Sequence, residues 1–197
     1  MTVSEMRMKK LGVLGLGYIG LPTAALFASR GFEVAGIDVA ANVVDTVNRG
    51  GVHIVEPGLD IAVRSAVASG LLRASTTPEP CDAFIIAVPT PFRDGHVPDL
   101  RFIEATTQSL APVLRAGNLV VLESTSPVGT TRDMAIALQR LRPDLRFPVP
   151  GQTTEDVFVA HCPERVLPGN VMRELIQNDR VVGGLSARST EDRKSVV

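Results

Sequence analysis

The feature that most constrains this chain is a glycine-rich turn that joins an apolar strand to a helix. Residues 15–20 are GLGYIG, which fits the pattern G-x-G-x-x-G. Residues 11–15 are apolar and predict a short buried strand, and residues 18–30 predict the helix that follows. Residues 32–38 predict a second strand that ends in Asp38. This succession of strand, glycines, helix, strand and acid is the fingerprint of a dinucleotide-binding unit.

Each residue of the fingerprint has a structural role. Gly15 permits the tight turn, Gly17 lets the backbone approach a pyrophosphate, and Gly20 lets the helix pack closely on the sheet. The first turn of the helix offers N–H groups and a positive dipole end to the phosphates. We expect Asp38 to accept hydrogen bonds from the adenine ribose. Residues 39–41 carry no basic side chain for a 2′-phosphate, so NAD is favoured over NADP. The alternative is a glycine-rich turn followed by a solvated acid.

The rest of the chain repeats the alternation of apolar strands with helical stretches. Strands are predicted at residues 71–76, 83–89, 118–124, 157–162 and 180–184. Helices are predicted at residues 40–49, 60–69, 100–115, 131–141 and 170–177. Residues 90–99 predict a loop, with Asp99 as a candidate N-cap for the next helix. The alternation predicts an α/β fold with a doubly wound, mostly parallel sheet, as in a Rossmann-like NAD-binding domain.

Composition and charge exclude several classes of function. The net charge is −1 and no basic cluster is present, so we expect no nucleic-acid surface. The two cysteines, Cys81 and Cys162, are far apart and form no CxxC, which fits a reducing cytoplasm. The three histidines, His53, His96 and His161, share no ligand spacing, so we expect no metal site.

An apolar run near the N-terminus allows a different interpretation. Residues 11–28 are an uninterrupted stretch without charge after Lys9 and Lys10, as in a signal peptide, and their number approaches that of a membrane span. Four glycines, Tyr18 and Pro22 lie within the run. The spacing of these glycines fits the dinucleotide turn better, so we expect no membrane segment.

Polar residues follow three of the predicted strands, at the positions where an open α/β sheet binds its ligands. Thr90 stands between two prolines after the fourth strand, and the hydroxyl-rich segment 123–131 begins at the end of the fifth. These hydroxyls either meet a ligand or serve as turn and cap groups, and spacing alone does not decide between the two. Glu164 and Arg165 follow the sixth strand, either as a surface ion pair or as a base beside an anion clamp.

Six features of the sequence resemble the UDP-glucose/GDP-mannose dehydrogenase family. They are GLGYIGLP, the acid Asp38, NRGGVHIVEPGL, AVPTPF, ESTSPVGTT and CPERVLPG, and their order and spacing over residues 9–185 match the family. The resemblance implies an enzyme that oxidises the C6 alcohol of a UDP- or GDP-sugar to a carboxylate while two NAD are reduced. Pro168 stands where the glucose and GDP-mannose branches have a second glutamate, which favours the branch that acts on N-acetylated sugars.

The resemblance also implies roles for individual residues. The positions expected to contact NAD, besides the three glycines, are Tyr18, Ile19, Asp38, Thr90 and Thr131. Thr125 would lie near the nicotinamide and the reacting carbon, and Glu164 would position or activate water. Arg165 and Val166 would line the site of the UDP-sugar substrate.

The family's nucleophilic cysteine, which holds the aldehyde as a thiohemiacetal, lies in a GGHC-like motif of a later domain. The 197 residues contain no such motif, so Cys162 is expected to be a buried or semi-buried bystander. We expect residues 1–185 to form the NAD-binding domain and residues 186–197 to be a polar tail, with the central helix and the sugar-nucleotide domain absent. The resemblance further implies a cytoplasmic enzyme whose full-length members form homo-oligomers, and a chain that does not turn over by itself.

Other interpretations stay open at this point. The first is a non-catalytic NAD-binding module, which the missing cysteine motif supports. The second is a dehydrogenase of the same family that acts on another UDP- or GDP-sugar. The third is a Rossmann dehydrogenase of the hydroxyacyl or phosphogluconate type, against which the stretches CPERVLPG and ESTSPVGTT argue.

Overall fold

The centre of the molecule is a sheet whose strands are short and mostly apolar. The computed structural model describes residues 8–194. The strands are β1 (Lys10–Leu14), β2 (Glu33–Ile37), β3 (Leu72–Ser75), β4 (Ala83–Ile86), β5 (Phe92–Arg93), β6 (Val97–Pro98), β7 (Leu119–Leu122), β8 (Phe158–His161) and β9 (Gly183–Gly184). The helices are α1 (Gly20–Ser29), α2 (Ala41–Asn48), α3 (Leu59–Ala68), α4 (Arg101–Leu110), α5 (Thr130–Leu141), α6 (Val171–Gln177) and α7 (Ala187–Lys194).

The main sheet is doubly wound about β1. Its strands run in the order β3-β2-β1-β4-β7-β8-β9. Neighbouring strands from β3 to β8 are parallel, and β9 pairs antiparallel with β8 at the edge. The chain winds from β1 to β3 on one side and continues from β4 on the other, so the connections after β1 and β4 diverge and open a crevice at their carboxyl ends. The predicted doubly wound, mostly parallel sheet is confirmed.

Apolar side chains on both faces bury the sheet between two layers of helices. On one face, Phe84 and Leu122 pack in a cluster that includes residues of α4 and α5. On the other face, Val13 and Val34 pack in a cluster with residues of α1 and α3. The LVVL run of β7 is buried at all positions because helices cover both faces. The helices therefore hold the carboxyl ends of the strands, and the loops that follow them, in place.

Three predicted elements differ in their extent. The strand expected at 180–184 is reduced to the two residues of β9. The helix expected at 100–115 ends as an α-helix at Leu110 and continues as a short 3₁₀ turn over Ala111–Val113. The loop expected at 90–99 contains a small antiparallel hairpin of β5 and β6.

Asp99 has a larger role than the predicted N-cap. The helix boundary lies at Leu100, and the buried Asp99 carboxylate accepts the N–H of Arg101 at 3.2 Å. The guanidinium groups of Arg101 and Arg93 also bind this carboxylate, each at 2.6 Å. Hydrogen bonds from Arg101 and then Arg93 hold the pKa of Asp99 well below its usual range. Asp99 thus ties the β5–β6 hairpin to the start of α4.

Part of the expected polar tail is helical. Ser186, directly before α7, accepts the N–H of Ser189 at 2.9 Å, as an N-cap side chain does. The buried Ser189 hydroxyl accepts the N–H of Val159 in β8 at 3.2 Å. Arg188 lies over the ring of Phe158, at 5.3 Å from its centre. These contacts pack the first turn of α7 against the sheet.

The apolar run at residues 11–28 is divided between two elements. Its first part forms β1 and its second part lies in α1, with the glycine turn between them. Across residues 8–194, no helix combines the length and the apolar character needed to cross a membrane.

Candidate functional site

Most of the predicted site residues meet in the crevice at the carboxyl ends of β1 and β4. A cleft of about 320 Å³ opens there. Its lining includes Gly15, Gly17, Tyr18, Ile19, Asp38, Thr90, Thr125 and Glu164. Residues that are far apart in sequence are neighbours in this cleft because parallel strands bring their following loops to the same edge of the sheet.

The glycine turn has the geometry that close backbone packing requires. Gly15 has φ +91°, a left-handed conformation that favours glycine, and a Cβ there would lie 2.7 Å from the carbonyl oxygen of Ala87. A Cβ at Gly20 would overlap the carbonyl oxygen of Gly15. A Cβ at Gly17, in contrast, would have no protein atom within 4 Å and would fill the space of the cleft. The turn therefore has two glycines that serve packing and one that leaves room for a ligand.

Asp38 is held in one orientation at the end of β2. Its Oδ2 accepts the N–H of Leu16 at 2.9 Å, and its Oδ1 accepts the N–H of Ala40 at 2.9 Å. Carboxylate oxygens have further lone pairs, so both remain able to accept bonds from ribose hydroxyls. The neighbouring Val39 side chain is 92% exposed, which leaves an apolar surface beside the acid. This donor and acceptor set fits a dinucleotide without a 2′-phosphate.

Three residues from three different loops form one hydrogen-bonded chain at the other end of the cleft. Thr90 Oγ1 donates to the carbonyl oxygen of Thr125 at 2.6 Å. Thr125 Oγ1 in turn donates to Glu164 Oε2 at 2.9 Å. Ser124 Oγ donates to the carbonyl oxygen of Val88 at 2.7 Å, which fixes the same loop to the end of β4. The sequence did not decide whether these hydroxyls serve turns or contact a ligand. In the structure, the Thr125 hydroxyl bonds directly to a carboxylate that lines the cleft.

The remaining predicted residues lie around the cleft and not in its lining. Gly20 stands behind the turn, and Thr131 is buried in the first turn of α5. Arg165 and Val166 belong to the loop after β8, where the Arg165 side chain is exposed. The Arg165 carbonyl oxygen accepts a bond from Asn178 Nδ2 at 2.5 Å. The structure therefore brings most, but not all, of the expected cofactor contacts into the cleft, while Arg165 and Val166 lie on the loop after β8.

A buried ion pair, whose acid Glu123 lines the cleft, was not predicted from the sequence. Arg180 Nη1 lies 2.7 Å from Glu123 Oε1, and the two side chains are 15% and 4% exposed. Burial opposes the charge of Arg180, but the carboxylate of Glu123 and the side chain of Cys162 together outweigh this effect and raise the pKa of the guanidinium. The residues are 57 positions apart, so only the folded chain makes them neighbours. A buried acid at the end of an apolar strand was the one available indication.

Cys162 adjoins this pair through Arg180. It is fully buried in an apolar cluster with Phe158 and Val121. Its N–H donates to the carbonyl oxygen of Leu122 at 3.0 Å, and its side chain contacts the guanidinium of Arg180. After β8, the Cys162 side chain thus lies in the core, and Glu164, two residues later, lines the cleft. This agrees with the expected bystander role, which remains a prediction.

The fold and the cleft define the class of the protein. A sheet wound in both directions from β1, a glycine turn before α1 and an acid at the end of β2 are the parts of an NAD-binding Rossmann domain. The sequence model of the UDP-glucose/GDP-mannose dehydrogenase family, NAD binding domain, matches residues 9–196. The chain belongs to this family, and NAD is its cofactor.

Curated relatives with high identity cover nearly all of the chain. An NDP-N-acetyl-D-galactosaminuronic acid dehydrogenase of Ralstonia nicotianae is 56% identical over 187 residues, which are 95% of this chain and 44% of that protein. A UDP-N-acetyl-D-mannosamine dehydrogenase of Escherichia coli is 57% identical over an alignment of 190 residues, which covers 94% of this chain and 45% of that protein. The chain thus spans less than half the length of these relatives.

Solved structures agree with this assignment. The UDP-N-acetyl-mannosamine dehydrogenase of Staphylococcus aureus superposes with a TM-score of 0.88 at 39% identity, over 95% of this chain and 45% of that one. The UDP-D-ManNAc dehydrogenase of Pyrococcus horikoshii superposes with a TM-score of 0.87 at 38% identity, over 95% of this chain and 44% of that one. Both similarities extend over nearly the whole Rossmann domain.

Proposed function

We propose that this chain is the cofactor-binding part of an enzyme that oxidises the C6 alcohol of UDP-N-acetyl-D-mannosamine to the uronate. The observation that carries the proposal is the cleft itself, in which the glycine turn, Asp38 and the bonded pair of Thr125 and Glu164 line one space. Relatives that are 56–58% identical bear this activity in their names, which supports the choice of sugar.

The residues of the cleft divide the binding of NAD between two ends. Gly17, Tyr18 and Ile19 would receive the pyrophosphate at the start of α1, where N–H groups and the helix dipole favour negative charge. Asp38 would accept the ribose hydroxyls, and Thr90 and Thr131 would contact the nicotinamide half. Bound NAD supplies the acceptor for the hydride that leaves C6 in each of the two oxidation steps.

Glu164 is the acid that we place at the reacting end. Its bond from Thr125 orients one carboxylate oxygen, which leaves the other able to position or activate a water molecule. Arg165 and Val166, on the same loop, would line the sugar-nucleotide side, with the guanidinium as a partner for a phosphate. The alternative substrate is another N-acetylated sugar nucleotide, because a relative named for N-acetyl-D-galactosaminuronic acid is 56% identical.

We expect residues 1–197 by themselves to bind NAD without turnover, because they contain no GGHC-like motif to hold the aldehyde. We also propose a cytoplasmic location and a homo-oligomeric whole enzyme, as for the family. A longer protein that contains these residues and such a motif should form two NADH for each UDP-N-acetyl-D-mannosamine consumed. A stoichiometry of one, or reaction only with a sugar that lacks the N-acetyl group, would refute the assigned reaction.

Calorimetric titration of the chain with NAD and with NADP tests the cofactor site. We expect saturable binding of NAD, and binding of NADP at least about tenfold weaker because of charge repulsion by Asp38. The variant Asp38→Asn should weaken NAD binding by a similar factor, whereas Asp45→Asn, an exposed carboxylate of α2, should not. The absence of NAD binding by well-folded protein would overturn the proposal.

A further inference from the structure

Glu56 is a buried carboxylate whose partners lie in a distant part of the chain. Its side chain belongs to the segment between α2 and α3, and the residue is 6% exposed. Glu56 Oε2 accepts the N–H of Gly169 at 2.8 Å, and Oε1 accepts the N–H of Val171 at 2.6 Å. These donors are 113 and 115 positions further along the chain. Both carboxylate oxygens of Glu56 therefore accept hydrogen bonds from one short stretch of backbone.

That stretch is the end of the loop that carries the expected substrate residues. We call residues 162–170 the substrate loop, because Glu164, Arg165 and Val166 lie in it. Its near end is held by the bond from Thr125 to Glu164. Its far end, before α6, is held by Glu56.

Beyond Glu164, the other side-chain bonds to the substrate loop come from residues that are close to it in sequence. Glu174, in α6, accepts the N–H of Leu167 at 2.7 Å, and Asn178, just after α6, donates to the Arg165 carbonyl oxygen. These two residues follow the loop directly, so their bonds join it to the next stretch of the chain. Glu56 instead joins the far end of the loop to a distant part of the chain, since it follows α2 in the β2–β3 half of the fold.

The segment that carries Glu56 also contacts the cofactor side of the cleft. The Tyr18 hydroxyl donates to the carbonyl oxygen of Val55 at 3.2 Å. Tyr18 lines the cleft directly after Gly17. One segment therefore touches both the glycine turn and, through Glu56, the far end of the substrate loop.

We propose that Glu56 is a positioning residue for the substrate loop. By holding the backbone at Gly169 and Val171, it sets the place of Arg165 and Val166 relative to the cofactor cleft, while Thr125 sets that of Glu164. The role toward a sugar nucleotide rests on the function proposed above. Glu56 itself contacts neither substrate nor cofactor in this scheme, and it acts through the backbone of the loop.

Hydrogen exchange of the full chain, read by peptide mass spectrometry, tests this role. The variant Glu56→Gln keeps the shape of the side chain but turns an N–H₂ group toward a backbone N–H. We expect the amides of residues 164–167 and 169–171 to exchange at least about tenfold faster in this variant, with the amides of β1 and β4 unchanged. The variant Glu104→Gln, an exposed carboxylate of α4, should leave the loop as in the wild type.

Two further measurements separate positioning from general weakening. Calorimetry should give an NAD affinity for Glu56→Gln within about threefold of the wild type, because the cofactor contacts are intact. If Glu56→Gln does not fold, Glu56→Asp takes its place. This variant keeps the charge, but its shorter side chain does not reach the loop backbone. The same local increase in hydrogen exchange is therefore expected. Exchange that rises equally throughout the sheet, or a loop as protected as in the wild type, would overturn the proposal. A wild-type chain that fails to bind NAD would instead refute the proposed function, and the exchange comparison would still decide the role of Glu56.

Discussion

The hydroxyl of Thr125 donates a hydrogen bond of 2.9 Å to the carboxylate of Glu164, across 39 positions of the sequence. The two residues follow neighbouring parallel strands, β7 and β8. Thr90 extends the contact by donating to the Thr125 backbone. Two hydrogen bonds thus join the loops after three strands at one end of the cleft.

The first prediction concerns this bond. Thr125→Val keeps the branched shape but removes the donor, so the free energy of unfolding should fall by about 1 kcal/mol. Thr125→Ser restores a hydroxyl and should recover most of the loss. Urea denaturation of the two variants measures the difference. Equal stability of Thr125→Val and Thr125→Ser would show that the bond contributes nothing to the loop.

The second prediction separates the roles of two glycines. Gly17→Ala adds a methyl group to open space in the cleft, so stability should change by less than about 1 kcal/mol while NAD binding weakens at least about tenfold. Gly20→Ala pushes a methyl group into the Gly15 carbonyl, so it should destabilise the fold by at least about 2 kcal/mol. Thermal melts and calorimetry of both variants provide the test. Full NAD affinity in Gly17→Ala would mean that the turn does not hold the cofactor.

The third prediction concerns the buried pair of Glu123 and Arg180. Arg180→Met leaves a buried carboxylate without its guanidinium, so the free energy of unfolding should fall by about 3–5 kcal/mol. Combining this change with Glu123→Gln should restore part of the loss, because no buried charge is then left uncompensated. Arg73→Met is the matched control, since Arg73 is 70% exposed in its pair with Glu79 and should cost about 1 kcal/mol or less. Strictly additive effects in the double variant would contradict a coupled pair.

The fourth prediction is a dependence of stability on alkaline pH. Burial raises the pKa of the Cys81 thiol from 9.0 to about 12. Between these values the unfolded chain releases the proton and the folded chain keeps it. The free energy of unfolding should therefore fall as the pH rises above 9, by about 1.4 kcal/mol for each pH unit.

The variant Cys81→Ala isolates this contribution from that of other groups. Between pH 8 and pH 10.5, the free energy of unfolding of the wild type should fall by about 2 kcal/mol more than that of the variant. Denaturation curves at the two pH values give the comparison. The native thiol should also resist a disulfide reagent at pH 8 and react once the chain is unfolded. Equal alkaline losses in both proteins would rule out the buried thiol as their source.

The glycine turn and Asp38 were predictable because their signal is local. The left-handed turn at Gly15 and the close approach of Gly20 to Gly15 depend on residues within one strand–turn–helix unit. The α/β class followed in the same way from the alternation of strands and helices. Family, fold and cofactor were all predicted and are confirmed. The roles of the individual site residues remain predictions.

Glu56 and Arg180 were not predictable, although both act near the expected site. Glu56 stands in the stretch NRGGVHIVEPGL that resembles the family, but nothing in that stretch indicates its partners, which begin 113 positions later. Arg180 fell within a segment predicted as a strand, of which only Gly183–Gly184 forms one. In both cases the burial of the charge reveals the role, and burial is a property of the folded chain.

The sequence by itself determined the order of strands and helices, the glycine turn and the preference for NAD, because backbone propensity and apolar periodicity act over a few residues. Only the tertiary structure decided that Thr125 meets Glu164, that Cys162 turns into the core beside Arg180, and that Glu56 holds the substrate loop. These pairings depend on which strand ends become neighbours in the sheet. Which strand ends are adjacent depends on the packing of the whole chain, so no short stretch of sequence is enough to predict it.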